Sequence, residues 1–191
     1  RYEVSLPCSS WSLYRRLRAV KPAPFCAYLE YPNLAVLSAS PEQFVHLRDG
    51  IATSRPMKGT RPRGMNTTED NRLANELLAS EKDRAENVMI VDLVRSDLGK
   101  VCIPRSIEVP KLFAIEKYPT VWQMVSTICG SKRTDIDATE LLRACFPGGS
   151  VTGAPKIRAM EIIDELDPTQ RGVYRGAIGY IGFDGSMQMS V

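Results

Sequence analysis

Lys58 sits in RPMKGTRPRG (55–64), where two prolines and two glycines in ten residues forbid a regular helix. A lysine is a nucleophile only when its amine is neutral, and lowering its pKa from about 10.4 to about 7 takes roughly 4.6 kcal/mol. Burial and neighbouring cations push in that direction, and Arg61 and Arg63 follow closely. The competing assignment is a surface lysine in a basic loop. Glu42 opens a hairpin whose turn is Asp49-Gly50, so residues whose numbers sum to about 99 face each other. That register sets Glu42 beside Met57 and Lys58, as a proton donor or an ion-pair partner. Otherwise it is an exposed acid at a strand end.

A second set of candidates lies further along. Asp83 and Glu86 are three apart on a predicted helix and share a face, with Asp92 a further six along. Two such acids can hold Mg²⁺, which is bound by one or two carboxylates plus substrate oxygens; the alternative is pairing with Lys82 or Arg84. The stretch GGSVTGAPK (148–156) opens another helix, and free N–H groups with the Ser150 and Thr152 hydroxyls suit a small carboxylate or phosphate. It is not a Walker A loop, because Ala-Pro-Lys follows the last glycine, so a nucleotide kinase or ATPase is excluded. The single histidine, His46, precedes the Asp49-Gly50 turn as one side chain of a strand, which argues against histidine chemistry.

The elements that must position these residues follow from periodicity and punctuation. Residues 11–20 read as an amphipathic helix with Trp11, Tyr14 and Leu17 inward and Arg15, Arg16 and Arg18 outward, stopped by KPAP. Strands are predicted at 26–30, 34–38, 43–47 and 51–54. Helices follow over 68–79 and 80–98, the second with Ser80 as N-cap and Gly99 as stop. Residues 101–103, 107–115 and 121–129 lean to strand, 138–145 and 156–166 to helix, and 174–183 and 187–191 to strand around Asp184-Gly185. Strands adjoin through hairpins rather than alternating with helices, so the expected class is α+β with mainly antiparallel sheet.

The 191 residues carry 25 Lys+Arg against 22 Asp+Glu and are 43% hydrophobic, enough for a folded core and inconsistent with whole-chain disorder. A formal charge of +3 is too dispersed to argue for nucleic acid, and no apolar run approaches the roughly 20 residues that span a bilayer. Five cysteines with no C-x-x-C pair exclude a zinc ribbon and point to a reducing, cytoplasmic setting. Arg1 in place of an initiator and an apparent strand at Val191 give both ends the look of cuts.

In order along the chain stand SPE (40–42), PMKGTRPRG (56–64), ENVMIVDLVRSDL (86–98), VST (125–127) and FPGGSVTGAPK (146–156). This series, spanning about residues 11 to 191, resembles the chorismate-utilising enzymes. They include anthranilate synthase component I, aminodeoxychorismate synthase component I, and the isochorismate and salicylate synthases. The resemblance implies that residues 1–191 are part of a catalytic domain lacking an N-terminal portion and roughly 50 C-terminal residues. A carboxylate-binding arginine and further metal ligands would lie in that missing end, so the isolated piece is expected to be inactive. Lysine in PMKGT resembles the aminodeoxychorismate-forming members, since anthranilate synthases generally carry alanine there.

The same resemblance implies the roles. Lys58 attacks C2 of chorismate and expels its hydroxyl with Glu42 as general acid, and ammonia from a glutamine amidotransferase subunit or fused domain adds at C4. Glu86 is a Mg²⁺ ligand, with Asp83 nearby. Gly59, Thr60, Gln123, Ser150 and Tyr174 contact substrate. Gln123 stands where the family usually has histidine, which removes a titrating imidazole and keeps a hydrogen-bonding group, and Ser96 replaces an asparagine. The alternatives are an anthranilate synthase component I, set against by Lys58, and a non-catalytic chorismate-fold fragment, favoured by Gln123.

Overall fold

Alternating apolar residues build the central sheet, and helices close over it. The computed structural model describes residues 4–191. Its elements run α1 (Ser10–Val20), β1 (Phe25–Tyr31), β2 (Leu34–Ser40), β3 (Gln43–Arg48), β4 (Ile51–Arg55), β5 (Met57–Pro62), α2 (Thr67–Ala79) and α3 (Glu81–Gly99). The remainder are β6 (Glu108–Lys117), β7 (Val121–Ser131), α4 (Ala138–Cys145), α5 (Lys156–Leu166), β8 (Ile178–Ile181) and β9 (Met187–Ser190). All strand pairs are antiparallel, as the α+β reading requires.

β1 and β2 form a separate two-stranded sheet under α1, where Trp11, Tyr14 and Tyr28 cluster with ring centroids 5.1–5.7 Å apart. The other seven strands form one sheet. β7 is its spine: β6 lines one edge, while β4 and β5 follow one another along the other. β3 joins β4 to β9, and β8 closes that side. β7 reads VWQMVSTICGS, with Met124, Val125, Ser126, Ile128 and Gly130 all buried, because α3 packs on it as well. Such burial stabilises by about 1.5–3 kcal/mol per large aliphatic side chain.

α3 is anchored as its sequence demands. The Ser80 hydroxyl accepts from the Asp83 N–H, capping the helix start. Its inward residues are Asn87, Ile90, Val91, Asp97 and Leu98, an i, i+3, i+4, i+10, i+11 stripe that carries two polar side chains. α4 and α5 occupy the spans expected.

Two expectations fail. Residues 101–103 are not a strand; after α3, only Cys102 bridges to Lys132, because the chain must turn at once toward β6. The strand at 174–183 shrinks to β8, since Gly172 and Arg175 take positive φ (56° and 60°) in a turn that extended backbone cannot contain.

Candidate active site

The β3–β4 hairpin delivers Glu42. Opposed residues sum to 99 from Arg48↔Ile51 to His46↔Thr53, then a bulge shifts the register to Gln43↔Arg55. His46 lies in this ladder as a strand residue, between Thr53 and Gln188. Beyond Pro56, β5 leaves β3 and continues along β7, yet Glu42 still meets Met57 and Lys58. The carboxylate lies beside the Met57 N–H and the Ser150 hydroxyl and faces the Lys58 charge; burial outweighs all three and raises its pKa from the ordinary value.

β5 delivers the lysine through a second bulge. Met57 pairs with Val125 and Thr60 with Gln123, so Lys58 and Gly59 together oppose the single residue Met124. Gly59 holds φ +90°, and a Cβ there would meet the Asp83 Cβ and the Leu77 Cδ1, each at 2.9 Å. Only glycine lets the strand run this close to α2 and α3. The half-buried Lys58 donates its Nζ to the Ser150 carbonyl at 3.1 Å. Ser150 therefore bonds the lysine through its carbonyl and shares a pocket with Glu42.

Thr60 donates its Oγ1 to the Gln123 Oε1 at 2.9 Å across the β5–β7 ladder. Gln123 thus stands one strand away from the lysine, on the spine of the sheet. Glu86 is on α3, its carboxylate 44% exposed and 3.7 Å from Lys82. Tyr174 is not gathered with the rest: it lies exposed in the turn before β8, with the Arg175 guanidinium over its ring.

Three expectations about charge need correcting. Arg61 and Arg63 do not crowd Lys58: Arg61 pairs with Glu76 at 2.8 Å and Asp83 at 3.1 Å, and Arg63 pairs with Asp70. Asp83 is thereby committed to an arginine, leaving Glu86 as the open acid on that turn. Thr152 directs its hydroxyl to the Gly148 carbonyl, so its proton closes the loop instead of meeting an anion.

The residues that sequence reasoning missed are Asp70, Asp97 and Lys156. Asp70 accepts from both arms of Arg63, from the Gly64 N–H at 2.9 Å and from the Trp122 indole at 2.8 Å. Arg63 holds its carboxyl well below the ordinary range. This hub fastens the loop after β5 to α2 and β7. Asp97 and Lys156 pair at 2.5 Å beside the second glycine-rich loop. Asp97 was legible as an acid seven residues past Ile90, on the apolar stripe of α3.

A pocket of about 20 Å³, room for one water, lies among Glu42, Ser54, Asp97, Cys145 and Ser150. A cavity of about 700 Å³ lies at the Asp49-Gly50 end of the sheet and is lined by none of Lys58, Glu42 or Ser150. Among the described residues no group of three His, Cys, Asp or Glu forms a metal site, and no helix is long and apolar enough to cross a membrane. What the arrangement can do is bring an amine and a carboxyl of raised pKa close together at the mouth of one loop.

The profile of the family described as chorismate binding enzyme matches residues 1–191. Aminodeoxychorismate synthase component 1 of Salmonella typhimurium is 49% identical over 191 residues, all of this chain and 42% of that protein. Aminodeoxychorismate synthase of Streptomyces pristinaespiralis is 52% identical over 179 residues, 93% of this chain and 25% of that protein. The chain thus spans less than half the length of these curated relatives. Among solved structures, anthranilate synthase component I from Streptococcus pneumoniae superposes with a TM-score of 0.88 at 35% identity, over 97% of this chain and 41% of that one. An isochorismate synthase, DhbC from Bacillus anthracis, gives 0.83 at 26% identity, over 96% of this chain and 50% of that one.

Proposed function

This chain belongs to the chorismate-binding enzyme family, and we propose that the full-length protein aminates chorismate to 4-amino-4-deoxychorismate, the precursor of p-aminobenzoate in folate synthesis. The observation that carries the reading is Lys58 on the β5 bulge, held by the Ser150 carbonyl and facing a protonatable Glu42.

The residues support the following sequence. Glu42 takes a proton from the facing Lys58 ammonium, the amine so freed forms a bond to C2 of chorismate, the π electrons shift, and the C4–O bond breaks. Glu42, buried and therefore inclined to hold its proton, gives that proton to the departing hydroxyl, which leaves as water. Ammonia then adds at C4, the π electrons return, and the bond from C2 to Lys58 breaks, freeing the lysine. Chorismate and ammonia thus yield the amino product and water. A glutamine amidotransferase, as partner subunit or fused domain, supplies the ammonia. Gly59, Thr60, Gln123 and Ser150 line the route to Lys58 as substrate contacts, and Tyr174 is assigned to the carboxylate or enolpyruvyl end.

Glu86 fits Mg²⁺ in one mode only. A single open carboxylate suffices where the substrate and water complete the shell, as is usual for this ion. When bound, the ion would neutralise a chorismate carboxylate. The five cysteines are unpaired, which supports a reducing compartment, and we place the protein in the cytoplasm.

The test is product analysis with chorismate, ammonium and Mg²⁺. Wild-type full-length protein is expected to release 4-amino-4-deoxychorismate, and Lys58→Ala to lose it by about 10⁴-fold or more, the scale of losing a covalent nucleophile. An ortho-aminated product, or an undiminished Lys58→Ala, overturns the reading.

A further inference from the structure

The glycine-rich loop at 146–155 brings Ser150 to the site, and its two ends are joined by one side chain. Lys156, the first residue of α5, turns its Nζ back to the carbonyl of Cys145, the last residue of α4, at 2.6 Å. The same Nζ reaches Asp97 on α3 at 2.5 Å, and the other oxygen of Asp97 accepts from Lys100 at 2.9 Å. The side chains of Asp97 and Lys156 are 6% and 11% exposed, whereas Lys100 is 58% exposed.

This placement is not explained by α5 itself. A cation on the first turn of a helix opposes the macrodipole, which favours negative charge there. Nor is α5 held down by apolar packing: none of its residues is buried, and Ile157 and Leu166 are 75% and 72% exposed. The ammonium of Lys156 is what ties this end of the loop to the body of the protein. Asp97 and Cys145 also line the same small pocket as Glu42 and Ser150, so the tie lies against the groups it would influence.

We propose that Asp97 and Lys156 form a clasp across the base of the 146–155 loop that holds Ser150 against Glu42 and Lys58, making both of them positioning residues. The proposal rests on the amination reading. With the clasp closed, the Ser150 hydroxyl lies in one pocket with Glu42, where it favours the ionised carboxylate, and its carbonyl holds the Lys58 Nζ. With the clasp open, both contacts loosen together, because they come from one residue. The charged or titratable groups around Glu42 are Lys58 from β5 and, across the pocket, Asp97 from α3 and Cys145 from α4. Cys145 stays a thiol, its pKa pushed up to about 12 by burial and by the Asp97 charge, so its titration lies above the range concerned.

The test compares Lys156→Met, Asp97→Asn, Lys156→Arg and Ser150→Ala in the full-length protein, following kcat, KM and the pH dependence of kcat/KM. In Lys156→Met and Asp97→Asn, kcat is expected to fall by about 10²-fold, the scale of a 1 Å misplacement, with KM within about threefold. The alkaline limb should move to higher pH, since losing the Ser150 hydroxyl removes a contact that favours the charged carboxylate. Ser150→Ala should reproduce that movement, and Lys156→Arg should restore kcat and the limb. Amide hydrogen exchange over 147–153, faster in Lys156→Met, reads the clasp without any chemistry. Folded variants with an unmoved limb, undiminished kcat and unchanged exchange overturn the clasp. If instead Lys58→Ala keeps full activity, the amination reading fails, and the exchange comparison still decides the clasp.

Discussion

Substituting Gly59 by alanine tests the geometry on which the site depends, because two separate penalties meet at that residue. A Cβ at φ +90° is in a region that costs an L residue roughly 1–2 kcal/mol. That Cβ would also lie 2.9 Å from the Cβ of Asp83 and 2.9 Å from the Cδ1 of Leu77. Neither neighbour can retreat: one is fixed by the α3 backbone, and Leu77 is fully buried. Crowding of this kind costs about 1–3 kcal/mol, so Gly59→Ala should destabilise by about 2–5 kcal/mol in all. Gly50 is the control. It holds φ +76° in the Asp49-Gly50 turn with nothing within 4 Å of its Cβ direction, so Gly50→Ala should carry the conformational cost alone. Urea unfolding of the two full-length variants isolates the crowding as their difference, and amination should suffer only in Gly59→Ala, where the Lys58 bulge is displaced. Equal stability losses in the two variants would refute the close approach of β5 to α2 and α3.

Three further outcomes follow from the same structure. Glu42→Gln should lower kcat by about 10²–10⁴-fold, the range for a lost general acid, and abolish the alkaline limb of the pH–rate profile. The sign follows from burial: the raised carboxyl is competent below its pKa and fails as pH climbs through it. Because the folded state holds this proton more tightly than the unfolded chain, stability declines as pH rises from about 4.5 through the folded pKa, and Glu42→Gln should remove that part of the slope in urea midpoints measured across pH. Glu86→Gln should raise the Mg²⁺ concentration giving half-maximal activity by about tenfold or more while leaving the unfolding midpoint unchanged, since its carboxylate is half exposed and loosely paired; an unchanged Mg²⁺ titration removes it as a ligand. Leu98→Ala, at a fully buried position of α3, should cost about 2–5 kcal/mol in unfolding free energy, and a smaller loss would contradict the packing of α3 on the sheet.

Where local chemistry decides structure, the sequence was sufficient. α4 begins at a residue following Asp137, whose side chain and that of Glu140 form a reciprocal cap, and α3 begins after Ser80 with its hydroxyl on Asp83. The Asp49-Gly50 turn set the hairpin register from Arg48 to His46, whereas Glu42 reaches Lys58 past a bulge that the register did not contain. What stayed hidden is what depends on meetings between distant segments. No local rule says that Arg63 is drawn to an aspartate on α2, that β5 bulges at Lys58, or that Lys156 reaches back 59 positions to Asp97. The acids of α3 were judged by their spacing to one another, and the one that matters most for the loop was the one lying among apolar neighbours. Tyr174 shows the converse: its motif position suggested a place in the site, while the turn imposed by Gly172 and Arg175 leaves it facing solvent.

The two carboxyls at Asp70 and Glu42 are displaced in opposite directions, and this divides the protein's response to acidity. Asp70 stabilises the fold at all pH values above its ordinary 3.8 and gives that up only as pH falls through its still lower folded value. Glu42 is displaced upward from its ordinary 4.5, chiefly by burial. Above 3.8 the fastening of β5, α2 and β7 is indifferent to proton concentration, while Glu42 titrates higher than an ordinary glutamate. A rate that varies with pH above that value is therefore not explained by release of the Arg63–Asp70 fastening.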